Sequence, residues 1–288
     1  MSAIWRAPAL VSGLYHLCKL TMPSRTWVNG PMTPDLPTLE PMALLALLLV
    51  GVLAGMINIL AGGGSLLAMP VAIFLGLPEG VANGTVRLAI LVQNITALTH
   101  YHRAGALELR GTGKLIIPTV AGATAGALIG SQLSNEATRS ALGWALLAAV
   151  ILVVTRPHER QPGSARRIPP VAVALVMFAI GIYGGAIQAG VGYLFLFGLT
   201  YLCGMDLVRA NTMKIVLVTS YTPLVLLAFW GESRIHWVAG LSLAIGQATG
   251  AWIGASLALS RGANIIRAAL LIAVTLSAVK LLGVDQFT

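Results

Sequence analysis

The stretch Gly55-Met-Ile-Asn-Ile-Leu-Ala-Gly-Gly-Gly-Ser65 places three consecutive glycines, an asparagine and a serine inside an otherwise apolar run. Such a run is typical of a helix in lipid, and three glycines in succession interrupt it. Backbone groups that an interruption leaves unpaired are tolerated at membrane depth only where protein or a water-filled cavity surrounds them. The stretch therefore predicts a broken helix whose turn lines a cavity inside a membrane protein.

The composition of the whole chain indicates the same environment. Its 288 residues are 57% hydrophobic and carry 18 Lys and Arg against 9 Asp and Glu, so 9% are charged, far below the roughly 25% of a soluble domain. Apolar runs of about 20 residues match a hydrocarbon core about 30 Å thick. We therefore expect an all-α polytopic integral membrane protein. Most of the cations that make up the net charge of +9 lie between apolar runs, so they indicate topology and not nucleic acid.

The apolar segments predict about ten helical elements, of which eight are full spans and two are short half-helices. The second and seventh segments have only about 11 or 12 residues, too few to cross as straight helices, and each follows a glycine cluster. We expect them in interrupted helices or re-entrant hairpins. The segments are approximately Met42 to Leu60, Leu66 to Leu77, Val81 to Thr99, Leu115 to Gln132, Ala137 to Val154, Pro170 to Ala189, Tyr193 to Cys203, Val208 to Trp230, Val238 to Leu259 and Ile265 to Leu282.

The chain repeats itself, which predicts one helical module used twice. Gly62, Gly64, Ala82 and Asn83 recur 128 positions later as Gly190, Gly192, Ala210 and Asn211, and Gly55 recurs 130 positions later as Gly185. We expect a flexible leader over 1–40, a first membrane repeat over 41–155, a basic linker over 156–169 and a second repeat over 170–288. Paired broken helices in a duplicated module are typical of secondary transporters.

The loop charges bear on the orientation of the two repeats. If each short segment completes a crossing, the repeats are inverted and ten loop cations share one side, with Arg139 and Arg234 on the other. If the short segments only re-enter, the division is eight against four. Positive charge collects in the cytoplasm, so the inverted arrangement in a cell inner membrane is favoured by a small margin. The ten cations are residues 103, 110, 114, 156, 160, 166, 167, 209, 261 and 267.

The glycine turns also predict an anion site. They let amide groups converge at the start of the following short helix, where the helix dipole places about half a positive charge. In the second copy, Gln188 takes the place of Asn58 and Tyr193 that of Ser65. Two half-helix N-termini are thereby expected to face one substrate. The alternative is that the glycines serve only close helix packing.

A matched pair of cations follows the two short segments. Asn83 and Arg87 stand four residues apart, Asn211 and Lys214 three apart, so each pair shares a helix face. A charge inside a membrane helix is costly and faces a partner or a cavity. No Asp or Glu lies near either cation in sequence, so an anionic ligand is the expected partner. The alternative is that both side chains snorkel to the headgroups.

These motifs, in this order, resemble the TauE/SafE family of membrane permeases over about Leu44 to Leu282. The matching residues are Gly55, Gly62 to Gly64, Pro70, Gly76, Ala82 and Asn83, then Gly185, Gly190, Gly192, Gly204, Ala210 and Asn211. The resemblance implies transport of sulfite or organic sulfonates. The second half departs from the pattern, with Leu or Phe around 196 to 198 in place of Pro70.

The combined prediction is a permease that carries a small, sulfur-bearing anion between its two repeats by alternating access. A passive anion channel and an intramembrane hydrolase that uses Ser65 stay open as alternatives. The expected partners are the small anion and the lipid bilayer, with no nucleic acid, no cofactor and no metal; a homodimer stays open. The predicted substrate-binding residues are Asn58, Gly62, Gly63, Gly64, Ser65, Asn83, Arg87, Gln188, Gly190, Gly192, Asn211 and Lys214.

Overall fold

The computed structural model describes residues 36–107, 112–154 and 169–283, and these ranges are helical without strands. This confirms the predicted all-α class. Gly262 interrupts the last helix with a non-helical backbone (φ 58°, ψ −144°), which divides it into two parts. The helices are α1 (Pro41–Ala61), α2 (Ser65–Phe74), α3 (Glu79–Arg103), α4 (Gly113–Gly130), α5 (Asn135–Val154), α6 (Pro170–Ala186), α7 (Val191–Tyr201), α8 (Leu207–Gly231) and α9 (Trp237–Gly283).

The first broken helix is a hairpin. Gly64, just before α2, packs against Ala54 of α1. Leu75, just after α2, lines the same surface pocket as Met42 near the beginning of α1. The short helix therefore returns toward the point where the long helix started. We call residues 41–74 the first hairpin.

The second broken helix repeats this arrangement. Gly184 near the end of α6 lies against Val191 at the start of α7, and Gly198 near the end of α7 lies against Met177 and Ile180. The two helices are thus antiparallel, and residues 170–201 form the second hairpin. In both hairpins the short helix turns back along the long helix that precedes it.

Each long hairpin helix packs backbone to backbone against a helix from the other half of the chain. Glycine ridges allow this, because small residues let helix backbones approach where lipid supplies no hydrophobic drive. The residue numbers rise together along both pairs, so α1 is parallel to α9 and α4 is parallel to α6. The contacts are those of Gly246 with Leu48, Gly250 with Val52, Gly122 with Phe178 and Gly126 with Ile182.

The outer surface is apolar, as expected for a protein in lipid. Large apolar side chains such as Leu49, Trp144, Leu175 and Trp252 are more than half exposed. Within the described ranges, five helical stretches are long and apolar enough to cross a membrane. They are Pro41–Ala61, Glu79–Arg103, Gly113–Gly130, Leu207–Gly231 and Trp237–Gly262. The chain is therefore a multi-pass membrane protein.

The eight full spans and the repeat boundaries stay predictions. Residues 1–35 of the leader and 155–168, which contain nearly all of the basic linker, lie outside the described residues.

The glycine ridge predicts a selective loss of stability. A Cβ at Gly250 would collide with the carbonyl oxygen of Val52, so Gly250→Ala must push α1 and α9 apart and lose about 1–3 kcal/mol. We expect a lower melting temperature in detergent micelles.

The control is Gly143→Ala in α5. A Cβ at Gly143 meets nothing within 4 Å, and alanine is the better helix former by about 1 kcal/mol. A melting temperature that falls equally in both variants would contradict close packing at Gly250.

Candidate functional site

The two hairpin tips meet inside the protein. Gly62 (φ 84°) and Gly190 (φ 70°) have the left-handed backbone that glycine adopts without strain, and they reverse the chain between the long and the short helix of each hairpin. The backbone of Gly62 lies directly against that of Gly192, so that a side chain at either position would collide with the other. The two glycine turns therefore lie next to each other.

Ser65 links the two tips. Its hydroxyl group donates a hydrogen bond to the Gln188 carbonyl oxygen (3.3 Å) and accepts one from the Gly190 amide (3.0 Å). In the other direction, the Tyr193 hydroxyl lies against Gly63. The residues at the equivalent positions of the two short helices thus each reach into the turn of the opposite hairpin.

Arg87 on α3 contacts the end of the second hairpin's long helix. Its Nη1 donates to the Gly184 carbonyl oxygen (3.0 Å) and, at 3.5 Å, to Gln188 Oε1, while Nη2 donates to Asn83 Oδ1 (3.2 Å). Asn83 in turn donates to the Ala186 carbonyl oxygen (2.8 Å). The Asn83–Arg87 pair therefore caps the C-terminal end of α6.

Lys214 on α8 does the same for the first hairpin. Its Nζ donates to the carbonyl oxygens of Asn58 (2.9 Å) and Ile59 (3.4 Å) in the last turn of α1. It also donates to Asn211 Oδ1 at 2.8 Å. Each hairpin is thus capped by a cation from the helix that follows the other hairpin.

Both cations are deeply buried, so neither snorkels to the headgroups. Arg87 is 0% exposed and Lys214 is 3% exposed. All the hydrogen-bond acceptors that the described residues offer them are carbonyl oxygens. The C-terminal end of a helix carries about half a negative charge, which stabilises each cation without neutralising it. The site is therefore a buried region of net positive charge.

Three aromatic residues that the sequence did not single out complete the site. Tyr221 donates to Gln188 Oε1 (3.1 Å), Tyr183 donates to the Ala189 carbonyl oxygen, and the Arg87 guanidinium lies 4.3 Å from the centre of the Phe229 ring. One signal was available: Tyr221 stands 128 positions after the polar Gln93, at the repeat offset. Nothing in the sequence marks Phe229, because aromatic residues are common in apolar helices.

The twelve residues predicted from sequence lie at or beside the hairpin tips, and all except Asn58 are buried. Asn58 is half-buried and offers its backbone carbonyl oxygen to Lys214. Their contact with a substrate stays a prediction.

The hydrolase alternative needs a base near Ser65. Ser65 hydrogen-bonds to backbone groups of the second hairpin, whereas His100 lies beside Ser256, with 3.2 Å between His100 Nε2 and Ser256 Oγ.

Among the described residues, no group of three or more His, Cys, Asp or Glu is placed to hold a metal ion.

The chain is similar to proteins described as probable membrane transporters. It is 28% identical over 244 residues to the probable membrane transporter protein ORF9 of Sinorhizobium sp, which covers 83% of this chain and 93% of that protein. It is also 28% identical over 245 residues to the probable membrane transporter protein YfcA of Escherichia coli strain K12, with 84% and 91% covered. The Haemophilus influenzae probable membrane transporter protein is 26% identical over 227 residues, with 78% and 89% covered. No solved structure matches the chain.

The membrane-embedded helices, the paired hairpins and these relatives define a multi-pass protein of a membrane transporter family. The sequence model of the family described as sulfite exporter TauE/SafE matches residues 47–281. The chain belongs to this family, which confirms the resemblance found in the sequence.

The hydrogen bonds of Ser65 predict a local effect of its removal. Ser65→Ala leaves the buried Gly190 amide without its acceptor, which costs about 1–3 kcal/mol. We expect faster hydrogen exchange of that amide and a lower melting temperature. The control is Ser260→Ala, since among the described residues the exposed Ser260 hydrogen-bonds to Leu257 of its own helix. Unchanged exchange at Gly190 would contradict the link between the tips.

Proposed function

We propose that the protein is a permease for small anions, in particular sulfur-bearing ones such as sulfite and organic sulfonates. The observation that carries the proposal is the pair of buried cations at the hairpin tips, whose described acceptors are uncharged carbonyl oxygens. Burying a charge without a counter-charge is costly, and a small anion would supply that counter-charge. The family's description as sulfite exporter supports the sulfur-bearing class.

The substrate binds where the two hairpin tips meet, among the twelve residues predicted from sequence. In the present conformation the tips contact one another through Gly62 and Gly192, and Arg87 is inaccessible to solvent. Transport therefore requires the tips to separate toward one side and then the other, which is alternating access. Because α1 packs closely on α9 and α4 on α6, the helices of each pair move together. Each group of helices that moves as a unit therefore contains helices from both repeats.

We further propose a duplicated module with inverted repeats. The reciprocal packing of the two hairpins supports the duplication. The Gly80 amide near the start of α3 donates to Asn135 Oδ1 at the start of α5 (3.2 Å). Arg234 after α8 donates to the Leu133 carbonyl oxygen just before α5 (3.2 Å), so the start of α3 and the end of α8 lie near the same end of α5. Ala106 after α3 and Asp206 before α8 line one pocket at the opposite end.

Helices α3 and α8 are thus antiparallel. In this proposal each repeat contributes one re-entrant hairpin and three crossings, so that α1 and α6, which the sequence counts among eight full spans, belong to the hairpins. Each hairpin as a whole returns to the side where it starts, whereas the eight-against-four division assumes a full crossing followed by a re-entrant segment. This topology therefore puts the described loop cations Arg103, Lys114, Arg209 and Arg261 at the end where α3 finishes and α8 begins. By the positive-inside rule, that end faces the cytoplasm of a cell whose inner membrane holds the protein.

A passive anion channel would use the same residues. The close contact between the hairpin tips favours a carrier, since a channel needs a continuous path in its open state. A hydrolase is not supported, because the hydroxyl group of Ser65 is bonded to backbone groups.

Uptake by proteoliposomes tests the function. Vesicles loaded with unlabelled sulfite should accumulate radiolabelled sulfite by exchange, and vesicles loaded with sulfoacetate should do so as well. A carrier gives faster uptake when the vesicles contain substrate, whereas a channel does not. Absence of flux for sulfite, sulfoacetate and other sulfonates would refute the sulfur-bearing class.

The Arg87→Gln variant should lower this uptake about tenfold or more, because a charge-assisted hydrogen bond contributes roughly 1.5–3 kcal/mol. The matched control is Arg139→Gln. Arg139 pairs with Glu79 and its side chain is 75% exposed, so uptake should stay near that of the wild type. Equal uptake in all three proteins would exclude Arg87 from the site.

Cysteine labelling tests the inverted topology. In a background without Cys18 and Cys203, we expect a membrane-impermeant maleimide to label Glu232→Cys on intact cells. Ala106→Cys should be labelled only after the membrane is permeabilised. Labelling of both positions from the same side would contradict the antiparallel arrangement of α3 and α8.

A further inference from the structure

The two matched cations differ in how many hydrogen-bond donors the protein leaves free. The ammonium group of Lys214 has three N–H donors. Three carbonyl oxygens surround it, namely Asn211 Oδ1 at 2.8 Å, the Asn58 oxygen at 2.9 Å and the Ile59 oxygen at 3.4 Å. Each donor has an acceptor, so Lys214 has no donor left for a ligand while α1 stays in place.

Arg87 has five N–H donors, and the protein uses fewer of them. Nη1 donates to Gly184 and Gln188, and Nη2 donates to Asn83. Nε is buried and has no acceptor among the described residues. A buried donor without a partner is rare in native proteins and calls for an explanation.

The free donor lies on the edge of the guanidinium group that suits an oxyanion. Nε and Nη2 lie side by side on this edge. Nη2 has two N–H groups and donates one of them to Asn83, which leaves Nε and the other N–H group of Nη2 for two oxygens of one carboxylate or sulfonate group. Phe229 covers a face of the same group, with 4.3 Å between Cζ and the ring centre. Phe229 closes that face to a ligand, whereas the edge that carries Nε offers a donor without an acceptor.

We propose that the two cations have different tasks. Arg87 is the residue that binds the anion, through its Nε–Nη2 edge, and Asn83 positions it. Lys214 is a positioning residue that holds the end of α1. This division rests on the proposed function and narrows its substrate class to anions with at least two oxygens on one atom. A halide, which cannot bind both N–H groups in this manner, is the poorer ligand.

The test is the selectivity of anion binding by the purified full-length protein in detergent. Dissociation constants for sulfite, sulfoacetate, acetate and bromide give the preference of each variant for an oxyanion over a halide. Arg87→Lys keeps the positive charge but removes the paired N–H groups of Nε and Nη2. The preference for sulfite over bromide should therefore fall about tenfold.

Lys214→Gln removes one positive charge from the site, so the affinity for all four anions should fall. The preference for sulfite over bromide should nevertheless stay within about twofold of the wild type. Amide exchange over residues 60–64 should become faster, because α1 loses the cation at its end. If Lys214→Gln does not fold, Lys214→Arg takes its place with the same expected preference.

The outcomes separate the two proposals. A preference that falls equally in Arg87→Lys and in the Lys214 variant overturns the division of tasks and leaves the anion permease standing. A wild-type protein that binds none of the four anions overturns the proposed function, and the division of tasks with it.

Discussion

The arrangement of the hairpins depends on how two positive charges are buried in an apolar interior. Isolation of a charge from water is strongly unfavourable, and the described part of the chain supplies no carboxylate to Arg87 or Lys214 among their hydrogen-bond partners. Instead, both are surrounded by the carbonyl oxygens with which α1 and α6 end. A helix end inside a membrane has its own difficulty, because its last carbonyl groups lack intrahelical donors. The carbonyl oxygens at the helix ends stabilise the buried cations, and the cations supply the donors that these carbonyl oxygens lack.

These hydrogen bonds connect the two halves of the chain. The cation after the first hairpin caps the second hairpin, and the cation after the second hairpin caps the first. The glycine ridges add to the interlocking, since α1 packs on α9 and α4 packs on α6. Neither half of the sequence therefore forms a separate body. The hairpin tips are held by contributions from both, which places the candidate site at the point where any relative motion must begin.

The fold was largely predictable from particular residues. Apolar runs predict helices in lipid, and the glycine turns at Gly62 and Gly190 predict the breaks because few other residues adopt their backbone. The repeat offset of 128 predicts that matched residues share a site. The direction of each short helix was not predictable. A segment of ten or eleven residues is compatible with a completed crossing and with re-entry, and only its packing on the long helix decides between them.

By itself, the sequence determined the membrane environment, the broken helices and the identity of the two buried cations. These follow from residue types, whose hydrophobicity, conformational freedom and charge do not depend on distant neighbours. Only the tertiary structure decided what the cations touch. Arg87 meets Gly184 across 97 positions and Lys214 meets Asn58 across 156, and separations of this size leave no local pattern. The tertiary structure also distinguished a saturated ammonium group from a guanidinium group whose Nε has no acceptor among the described residues, because that difference depends on the number of acceptors that distant segments bring near.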